Sequence, residues 1–164
     1  MKAIVCVDKK WGIGKNNGML FHLPEDLKFF KEKTWGKTVV MGYNTFLSLP
    51  NRKPLPNRKN IILSRKTDLK IDGAAVVNSS EEMMSILGDD TSDVFLMGGE
   101  IIYNELLNIC DEAYITKVNA DGNAEKFFPN IDEKPDWVKT CESEKINSGD
   151  YIISFNTYKR KINL

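Results

Sequence analysis

An acidic residue lies among apolar neighbours at helical spacing. In the segment that begins at Pro24, helical geometry places Asp26 on one face with three apolar side chains, those of Leu23, Leu27 and Phe30. A carboxylate is costly to desolvate unless it accepts hydrogen bonds, and a ligand with paired N–H donors is suited to supply them. The alternative is an acid in the first helical turn that complements the helix dipole without any ligand. The segment alone leaves both interpretations open.

Glycines follow two of the apolar segments. Gly98 and Gly99 come directly after residues 94–97, and Gly42 follows residues 38–41. Glycines at such turns let backbone N–H groups approach an anion. Two turns of this kind at the carboxyl ends of strands in one sheet face the crevice where open α/β sheets bind ligands, which favours a ligand with several phosphates. Tight turns with ordinary helix capping and no ligand are the alternative.

Positive charge follows a third apolar segment. Arg65 and Lys66 come directly after residues 60–64, so they add cationic groups at the same predicted edge of the sheet. Such a pair is suited to a further phosphate. A solvated surface pair without a ligand is the alternative.

A segment rich in Gly and Asn, residues 11–19, connects the first apolar run to the Asp26 segment. Such a loop can close over a bound ligand and exclude water from the chemistry. An ordinary flexible connection is the commoner case. His22, the one histidine, lies beside this loop, but no Ser or Cys partner motif supports a nucleophile.

Length and composition restrict the class of protein. The chain has 164 residues and a mass of 18.7 kDa, with 41% hydrophobic and 28% charged residues, which predicts one domain over residues 1–164. Lys+Arg (23) balance Asp+Glu (23), so we expect no nucleic-acid partner. One histidine and three scattered cysteines predict no metal site and favour the cytoplasm. The apolar run at residues 1–7 is too short for a signal or a membrane segment, so we expect no membrane association.

The order of the apolar segments predicts the fold class. Short β-branched runs predict strands at residues 3–7, 38–41, 60–63, 74–77 and 94–97, and helical patterns predict helices at 24–33, 79–87 and 99–107. Alternating segments at 113–118, 137–144 and 151–159 predict further strands, with residues 147–150 as the turn of a hairpin. We expect an α/β fold: a single-domain three-layer sandwich with a mixed, mostly parallel sheet of about eight strands and a C-terminal antiparallel hairpin.

In their order and spacing, the motifs resemble those of dihydrofolate reductase of the monomeric, bacterial chromosomal type. The resemblance spans the whole chain and rests on Gly12-Ile13-Gly14, Leu23-Pro24-Glu25-Asp26-Leu27, Val40-Met41-Gly42 with Thr45-Phe46, Pro54-Leu55-Pro56-Asn57-Arg58, Leu63-Ser64-Arg65, and Met97-Gly98-Gly99 with Ile102-Tyr103. It implies NADPH-dependent reduction of 7,8-dihydrofolate to 5,6,7,8-tetrahydrofolate, a step that supports one-carbon metabolism and thymidylate synthesis.

The resemblance implies a substrate site around Asp26. This residue matches the acid that hydrogen-bonds the 2-amino group and N3 of the pterin, and because it lies away from N5 its role is electrostatic while the proton arrives through water. Arg58 matches the arginine that binds the α-carboxylate of the glutamate tail. Thr116 matches the hydroxyl that bonds the acid. The other positions that match substrate contacts are Ile4, Val5, Leu27, Phe30, Leu49, Lys53, Leu55 and Met97.

The resemblance also implies a set of NADPH contacts. The residues on the nicotinamide side are Cys6, Ile13, Gly14, Asn17, Gly18 and Met19. Those at the two glycine turns are Gly42, Tyr43, Asn44, Thr45, Gly98, Gly99, Glu100, Ile101, Ile102 and Tyr103. Ser64 and Arg65 match the position of the adenosine 2′-phosphate. Tyr43 stands where the family often has a basic residue, which leaves Arg65 with more of the preference for NADPH over NADH.

Several positions depart from the family pattern. Phe21 stands where tryptophan is usual and Leu20 where proline is common, which puts the usual route of proton delivery in doubt. Cys6 replaces an alanine, and Glu125 with Lys126 replaces a commoner acid–threonine pair.

Two other functions remain as alternatives. One is a non-catalytic dinucleotide-binding module in which Asp26 only caps a helix, and the position of Asp26 on the apolar face argues against it. The other is a related reductase of a different heterocycle, against which Arg58 argues. The resemblance further implies a monomer that antifolates such as methotrexate and trimethoprim inhibit.

Overall fold

A computed structural model describes residues 1–161 of the chain. Its strands are β1 (Lys2–Val7), β2 (Gly12–Lys15), β3 (Gly18–Met19), β4 (Thr38–Gly42), β5 (Lys59–Leu63), β6 (Ala74–Val77), β7 (Val94–Leu96), β8 (Glu112–Val118), β9 (Lys126–Phe127), β10 (Trp137–Glu142), β11 (Ile146–Ser148) and β12 (Tyr151–Arg160). Its helices are α1 (Pro24–Thr34), α2 (Tyr43–Leu47), α3 (Ser80–Leu87) and α4 (Glu100–Leu106). Short 3₁₀ turns occupy Pro50–Arg52, Leu107–Ile109 and Ile131–Glu133.

The main sheet has the strand order β10-β12-β8-β1-β7-β4-β5-β6, with β11 paired to the other part of β12. The six strands from β8 to β6 are parallel, whereas β12 runs antiparallel to β8, and β10 and β11 run antiparallel to β12. This arrangement confirms the mixed, mostly parallel sheet and the C-terminal antiparallel hairpin. Because β7 inserts between β1 and β4, the carboxyl ends of three strands that are distant in sequence meet at one edge.

Helices cover both faces of this sheet, which explains why its strands appear as nearly continuous apolar runs. Successive residues of a strand point to opposite faces. Val40 packs in one cluster with Met83 of α3, whereas its neighbour Val39 packs in another with Phe46 of α2 and Phe30 of α1. The expected three-layer sandwich is therefore confirmed. None of the helices between residues 1 and 161 has the length and apolar character needed to cross a membrane.

The C-terminal hairpin differs in one detail from the prediction. The predicted turn at residues 147–150 is a tight turn of two residues, Gly149 (φ 59°) and Asp150, because Asn147 and Ser148 belong to the short strand β11, which the turn joins to β12. The strand β10 ends earlier than predicted, at Glu142, and pairs with the distal part of β12, where Trp137 faces Arg160. The length of β12 is the reason: its 10 residues are enough to pair with two successive partners on one side.

The segment predicted as a loop between the first strand and α1 contains two short strands. Strands β2 and β3 pair across Asn16 and Asn17, whose φ angles of 52° and 60° are both left-handed, as a type I′ turn requires. Strand β9 pairs with the other side of β2, which makes a small three-stranded sheet. We call residues 12–19 the 12–19 hairpin. Its strands are too short and too rich in glycine to give a periodic pattern in the sequence.

Asn60 holds the connection between the 3₁₀ turn at Pro50–Arg52 and β5. The side chain is 2% exposed. Its Oδ1 accepts from the Leu55 N–H at 2.9 Å, and its Nδ2 donates to the backbone oxygens of Leu55 at 2.9 Å and Arg58 at 3.0 Å. One buried amide therefore fixes the backbone at two of the predicted substrate residues.

Replacing Asn60 with Ala should lower the free energy of unfolding by about 1–3 kcal/mol, because the backbone groups of Leu55 lose buried partners. Urea unfolding measures the change. Asn104→Ala is the matched control, since its exposed amide donates to a helix carbonyl, of Glu100, at 3.0 Å, and its loss should cost at most about 0.5 kcal/mol. Equal losses in the two variants would contradict the role of Asn60.

Candidate active site

Asp26 lies in the first turn of α1, close to two polar side chains of the sheet. Cys6 of β1 and Thr116 of β8 are paired across neighbouring strands, and Thr116 is 1% exposed. Burial raises the pKa of the Asp26 carboxyl above its ordinary value, and the Thr116 hydroxyl and the Cys6 thiol lower it in part. The structure therefore brings together three residues that the sequence placed on separate elements.

The groups around the Asp26 carboxylate are neutral. Burial, and then the charge of Asp26, raise the pKa of the Cys6 thiol well above its usual range, so the thiol stays protonated. Tyr103 is 2% exposed, its pKa is also raised by burial, and its hydroxyl donates to the backbone oxygen of Ile4 at 2.6 Å. A carboxylate in neutral surroundings interacts more strongly with an N–H donor than one in water does.

An apolar surface flanks this carboxylate. Five of the predicted substrate residues pack in or against one cluster on the α1 side of the sheet: Ile4, Phe30, Leu49, Leu55 and Met97. Leu27, which follows Asp26 in α1, is 46% exposed. Val5 packs against the cluster on the opposite face, so its contribution to this surface comes from its backbone. The site therefore has one charged group, the Asp26 carboxylate, beside an apolar surface.

Arg58 lies at the far end of α1 from Asp26. Its Nε donates to the Pro56 oxygen at 2.8 Å and its Nη1 donates to Thr34 Oγ1 at 3.1 Å. Trp35, the residue after α1, lies with its ring centroid 5.4 Å from the guanidinium carbon. Burial lowers the pKa of Arg58, but a guanidinium remains charged in proteins. Lys53 is exposed in the connection between the 3₁₀ turn at Pro50–Arg52 and β5. Both cationic residues predicted to bind the carboxylate of the glutamate tail, Lys53 and Arg58, therefore lie in the connection that Asn60 holds.

The two glycine turns contact each other directly. The Gly42 N–H donates to the Gly98 oxygen at 2.8 Å. A Cβ on Gly42 would lie 3.1 Å from Ile102 Cγ1, and a Cβ on Gly99 would lie 3.2 Å from Thr45 Oγ1. Gly98 has a φ of 127°, a conformation that side chains other than glycine rarely adopt. The absence of side chains lets the turns at the ends of β4 and β7 form one continuous backbone surface.

A cationic group lies beside these turns, after β5. Ser64 is 9% exposed, and its Oγ accepts from the Lys66 N–H at 3.1 Å. Asn78 donates to the backbone oxygens of Ser64 at 2.9 Å and Lys66 at 3.1 Å, which holds this turn against the end of β6. The Lys66 Nζ lies 4.9 Å from the ring centroid of Tyr43. Lys66 therefore places a positive charge next to the position where the expected basic residue is replaced by tyrosine.

Arg65 is exposed at the edge of a cleft of about 500 Å³ lined by residues 65–69. The charge of Arg65 is therefore available to a ligand that enters from solvent. The sequence indicated both Arg65 and Lys66, but only the structure shows that Lys66 lies against Tyr43.

The 12–19 hairpin is held by the segment around β9. The Gly14 oxygen accepts from the Glu125 N–H at 2.8 Å, and the Glu125 Oε1 accepts from the Asn16 N–H at 2.9 Å. Ile13 is half-buried and Met19 is 48% exposed. The hairpin therefore presents apolar side chains while its backbone is anchored at two points.

Several predicted cofactor residues are exposed, or use their side chains for other contacts. The Glu100 Oε2 accepts from the Phe127 N–H at 2.7 Å, so this carboxylate anchors β9. A ligand at the turn would therefore contact the backbone of Glu100, not its side chain. Ile101 is 57% exposed on α4, and Asn17 and Gly18 lie at the tip of the 12–19 hairpin. Asn44 is exposed at the start of α2. His22 is exposed as well.

Comparisons with known proteins agree with the motifs. A family model described as dihydrofolate reductase matches residues 1–160. A dihydrofolate reductase from Bacillus subtilis (strain 168) is 34% identical over 160 residues, which cover 96% of this chain and 93% of that protein. A dihydrofolate reductase from Neisseria gonorrhoeae is 38% identical over 150 residues, which cover 91% of each chain. The chain belongs to the dihydrofolate reductase family.

The dihydrofolate reductase fold is also found by structural comparison. A solved structure, described as dihydrofolate reductase from Enterococcus faecalis complexed with NADP(H) and RAB-propyl, matches with a TM-score of 0.85 at 33% identity. The match covers 98% of this chain and 96% of that one. Membership of the dihydrofolate reductase family confirms the resemblance seen in the motifs, and the individual roles of the site residues stay predictions.

Asp26→Asn should raise the melting temperature at neutral pH. Burial raises the pKa of the Asp26 carboxyl in the folded state above its unfolded value of about 3.9. The stability that the protonated carboxyl contributes is fully present below about pH 3.9, and it is lost as the pH rises through the raised folded pKa. The asparagine does not titrate, so the advantage of the variant should grow between acidic and neutral pH. Thermal melts over this pH range measure the difference.

Asp90→Asn is the control for this prediction. Hydrogen bonds from the Ser92 side chain and backbone lower the pKa of Asp90, so its removal should give a small shift of the opposite sign. A melting temperature of Asp26→Asn that stays below that of the parent chain at neutral pH would show that the Asp26 carboxylate is not a destabilised group.

Proposed function

We propose that this chain catalyses the NADPH-dependent reduction of 7,8-dihydrofolate to 5,6,7,8-tetrahydrofolate. The observation that carries the proposal is the desolvated Asp26 carboxylate beside an apolar surface in a chain of the dihydrofolate reductase family. A flat heterocycle with an N–H edge satisfies both features at once, because its faces contact the apolar side chains while its edge hydrogen-bonds the acid.

Asp26 is the proposed catalytic residue. Its carboxylate accepts hydrogen bonds from the 2-amino group and N3 of the pterin, which orients the ring and favours the build-up of positive charge during reduction. Thr116 supports the carboxylate through its hydroxyl. Since Asp26 binds the edge away from N5, water delivers the proton to N5 and Asp26 acts through its charge.

The remainder of the substrate contacts the apolar surface and Arg58. Ile4, Val5, Leu27, Phe30, Leu49, Leu55 and Met97 are the proposed contacts of the pterin and benzoyl groups. Arg58 uses the N–H groups that the protein leaves free to bind the α-carboxylate of the glutamate in a planar, bidentate way, and Lys53 adds charge nearby. The distance between Asp26 in the first turn of α1 and Arg58 beside Thr34, the last residue of α1, therefore limits the length of a ligand that binds both.

The residues present fit a phosphate-bearing dinucleotide. The joined glycine turns form a backbone surface that a Cβ would fill, and Ser64, Arg65 and Lys66 add a hydroxyl and two cations beside it. NADPH supplies the hydride when it is bound. The proposed contacts for it are Cys6, Ile13, Gly14, Asn17, Gly18 and Met19 on the nicotinamide side, Gly42, Tyr43, Asn44, Thr45, Gly98, Gly99, Glu100, Ile101, Ile102 and Tyr103 along the turns, and Ser64 and Arg65 at the 2′-phosphate.

We further propose that the enzyme acts as a cytoplasmic monomer, with methotrexate and trimethoprim as inhibitors. Cys6, Cys110 and Cys141 are all free thiols, which fits a reducing compartment. The balance of 23 cationic and 23 acidic residues supports a small-molecule enzyme with no nucleic-acid or membrane partner.

Asp26→Asn should lower turnover at neutral pH by about two to three orders of magnitude, because the shape of the site survives but its charge does not. Steady-state oxidation of NADPH with dihydrofolate measures the loss. Glu32→Gln, a neutralised acid on the exposed side of the same helix, should keep the parental rate. Binding of NADPH should be nearly unchanged in both variants. Parental turnover in Asp26→Asn would rule out Asp26 as the catalytic charge and would favour a binding module or another substrate.

Arg65→Ala should weaken NADPH binding by about 1.5–3 kcal/mol and leave NADH binding nearly unchanged, because it removes a charge-assisted contact to the 2′-phosphate alone. Fluorescence titration with each cofactor gives the two constants. Lys134→Ala removes an exposed cation near the opposite edge of the sheet and should change neither constant. If Arg65→Ala weakens the two cofactors equally, the 2′-phosphate assignment is wrong.

A further inference from the structure

Asp8 is a buried carboxylate that the proposed reaction does not use. It follows β1 and is 3% exposed. Its Oδ1 accepts from the N–H groups of Lys10 at 2.8 Å and Gly12 at 2.7 Å, and its Oδ2 accepts from the N–H of Gly122 at 2.9 Å. Because a buried donor that loses its acceptor is costly, these bonds hold the three backbone groups in one arrangement.

The donors belong to two separate segments. Lys10 and Gly12 form the entry of the 12–19 hairpin, whereas Gly122 lies in the connection between β8 and β9, 114 residues from Asp8. Backbone bonds reinforce the junction, since the Asp8 N–H donates to the Gly12 oxygen at 2.9 Å and the Lys9 N–H donates to the Ala120 oxygen at 3.0 Å. A single side chain therefore joins both segments that flank the small sheet of β2, β3 and β9.

The packing at this junction leaves no slack. A Cβ on Gly12 would lie 2.9 Å from each Asp8 carboxylate oxygen and 2.3 Å from the Ala124 Cβ. A Cβ on Gly122 would lie 2.9 Å from Cδ1 of Leu20, the residue that follows the 12–19 hairpin. A side chain at Gly12 would therefore displace the Asp8 carboxylate, and one at Gly122 would displace Leu20, so this arrangement needs glycine at both positions.

The partners of Asp8 are backbone dipoles of fixed direction. The Lys10 ammonium pairs instead with Asp121 at 2.8 Å, so only the backbone of Lys10 serves Asp8. A backbone N–H group moves only when the chain moves, whereas a flexible lysine side chain could keep its bond to the carboxylate after the hairpin had shifted. The carboxylate therefore defines where the hairpin begins relative to the β8–β9 connection.

We propose that Asp8 is a positioning residue for hydride transfer. Its carboxylate fixes the entry of the 12–19 hairpin against the β8–β9 connection, so that Ile13 and Met19 are held at the nicotinamide side of the cleft. This role rests on the proposed function, because the cost of a displaced hairpin appears only when a nicotinamide and a pterin must be brought together.

Asp8→Asn tests the proposal, because an amide of nearly equal shape presents an NH₂ group to at least one of the three donors. In the ligand-free protein, amide hydrogen exchange should become about tenfold faster in peptides covering residues 9–14 and 120–125 together, and remain unchanged in α3. Single-turnover hydride transfer should slow by about ten- to a hundredfold, with a higher Kd for NADPH. Methotrexate binding in the absence of NADPH should change by less than about twofold, because Asp26 and Arg58 are untouched.

Asp90→Asn is the matched control, since it also replaces a carboxylate that accepts from a backbone N–H, at Ser92, and lies far from the hairpin. It should leave the exchange of both peptides and the hydride rate unchanged. Unchanged exchange in Asp8→Asn would overturn the proposal, and so would faster exchange confined to residues 9–14, which would make Asp8 a local cap. Failure of the parent chain to oxidise NADPH with dihydrofolate would instead refute the proposed function, while the exchange data would still report on Asp8.

A second variant covers the case in which Asp8→Asn does not fold. Gly12→Ala combined with Ala124→Gly keeps Asp8 but places a methyl group 2.9 Å from both its carboxylate oxygens, while the clash with the Ala124 Cβ is removed. The same two peptides should lose protection together, and the hydride rate should fall with little change in methotrexate binding. Intact protection in both peptides would overturn the proposal.

Discussion

The candidate active site is organised around one carboxylate, that of Asp26, which lies at the start of α1 and lacks full compensation for its burial. Asp26 lies beside Cys6 and Thr116, and burial raises its pKa because the fold supplies too few hydrogen bonds to compensate for the water that it has lost. A carboxyl whose pKa is raised in this way weakens the folded state at neutral pH, which is a common feature of functional sites. Asp26 as a whole is half-buried, so a ligand can still reach its carboxylate.

Asp8 is a second acid, and here hydrogen bonds fully replace the water that the carboxylate loses on burial. Asp8 is more completely buried than Asp26, yet its two oxygens receive three backbone N–H groups. The two residues have the same side chain, but the backbone of the chain supplies three donors to Asp8, whereas the groups near Asp26 offset its burial only in part. This difference in hydrogen bonding, more than burial alone, is the reason for proposing a positioning role for Asp8 and a catalytic role for Asp26.

The sheet topology explains how the site is assembled. Strand β7 inserts between β1 and β4, which brings the glycine turns after β4 and β7 into contact through the Gly42–Gly98 hydrogen bond. The same edge carries Ser64 and Lys66 after β5. Parallel strands that end at one edge thus gather groups from three parts of the chain, as expected for ligand sites in open α/β sheets.

The sequence by itself determined the elements and the family. Buried parallel strands give apolar runs and amphipathic helices give a regular spacing, so the sequence predicted the alternation of the two and the antiparallel C-terminal strands. The motifs around Asp26, Arg58 and the glycine pairs indicated the family. Only the tertiary structure decided the order of the strands, the strands hidden in residues 12–19, the contact of Lys66 with Tyr43 and the partners of Asp8. The order of the strands and the Gly122 partner of Asp8 depend on which distant segments meet, and a local pattern of residue types carries no information about such contacts. The strands in residues 12–19 are too short to give a pattern, and the contact of Lys66 with Tyr43 depends on the alignment of the neighbouring strands β4 and β5.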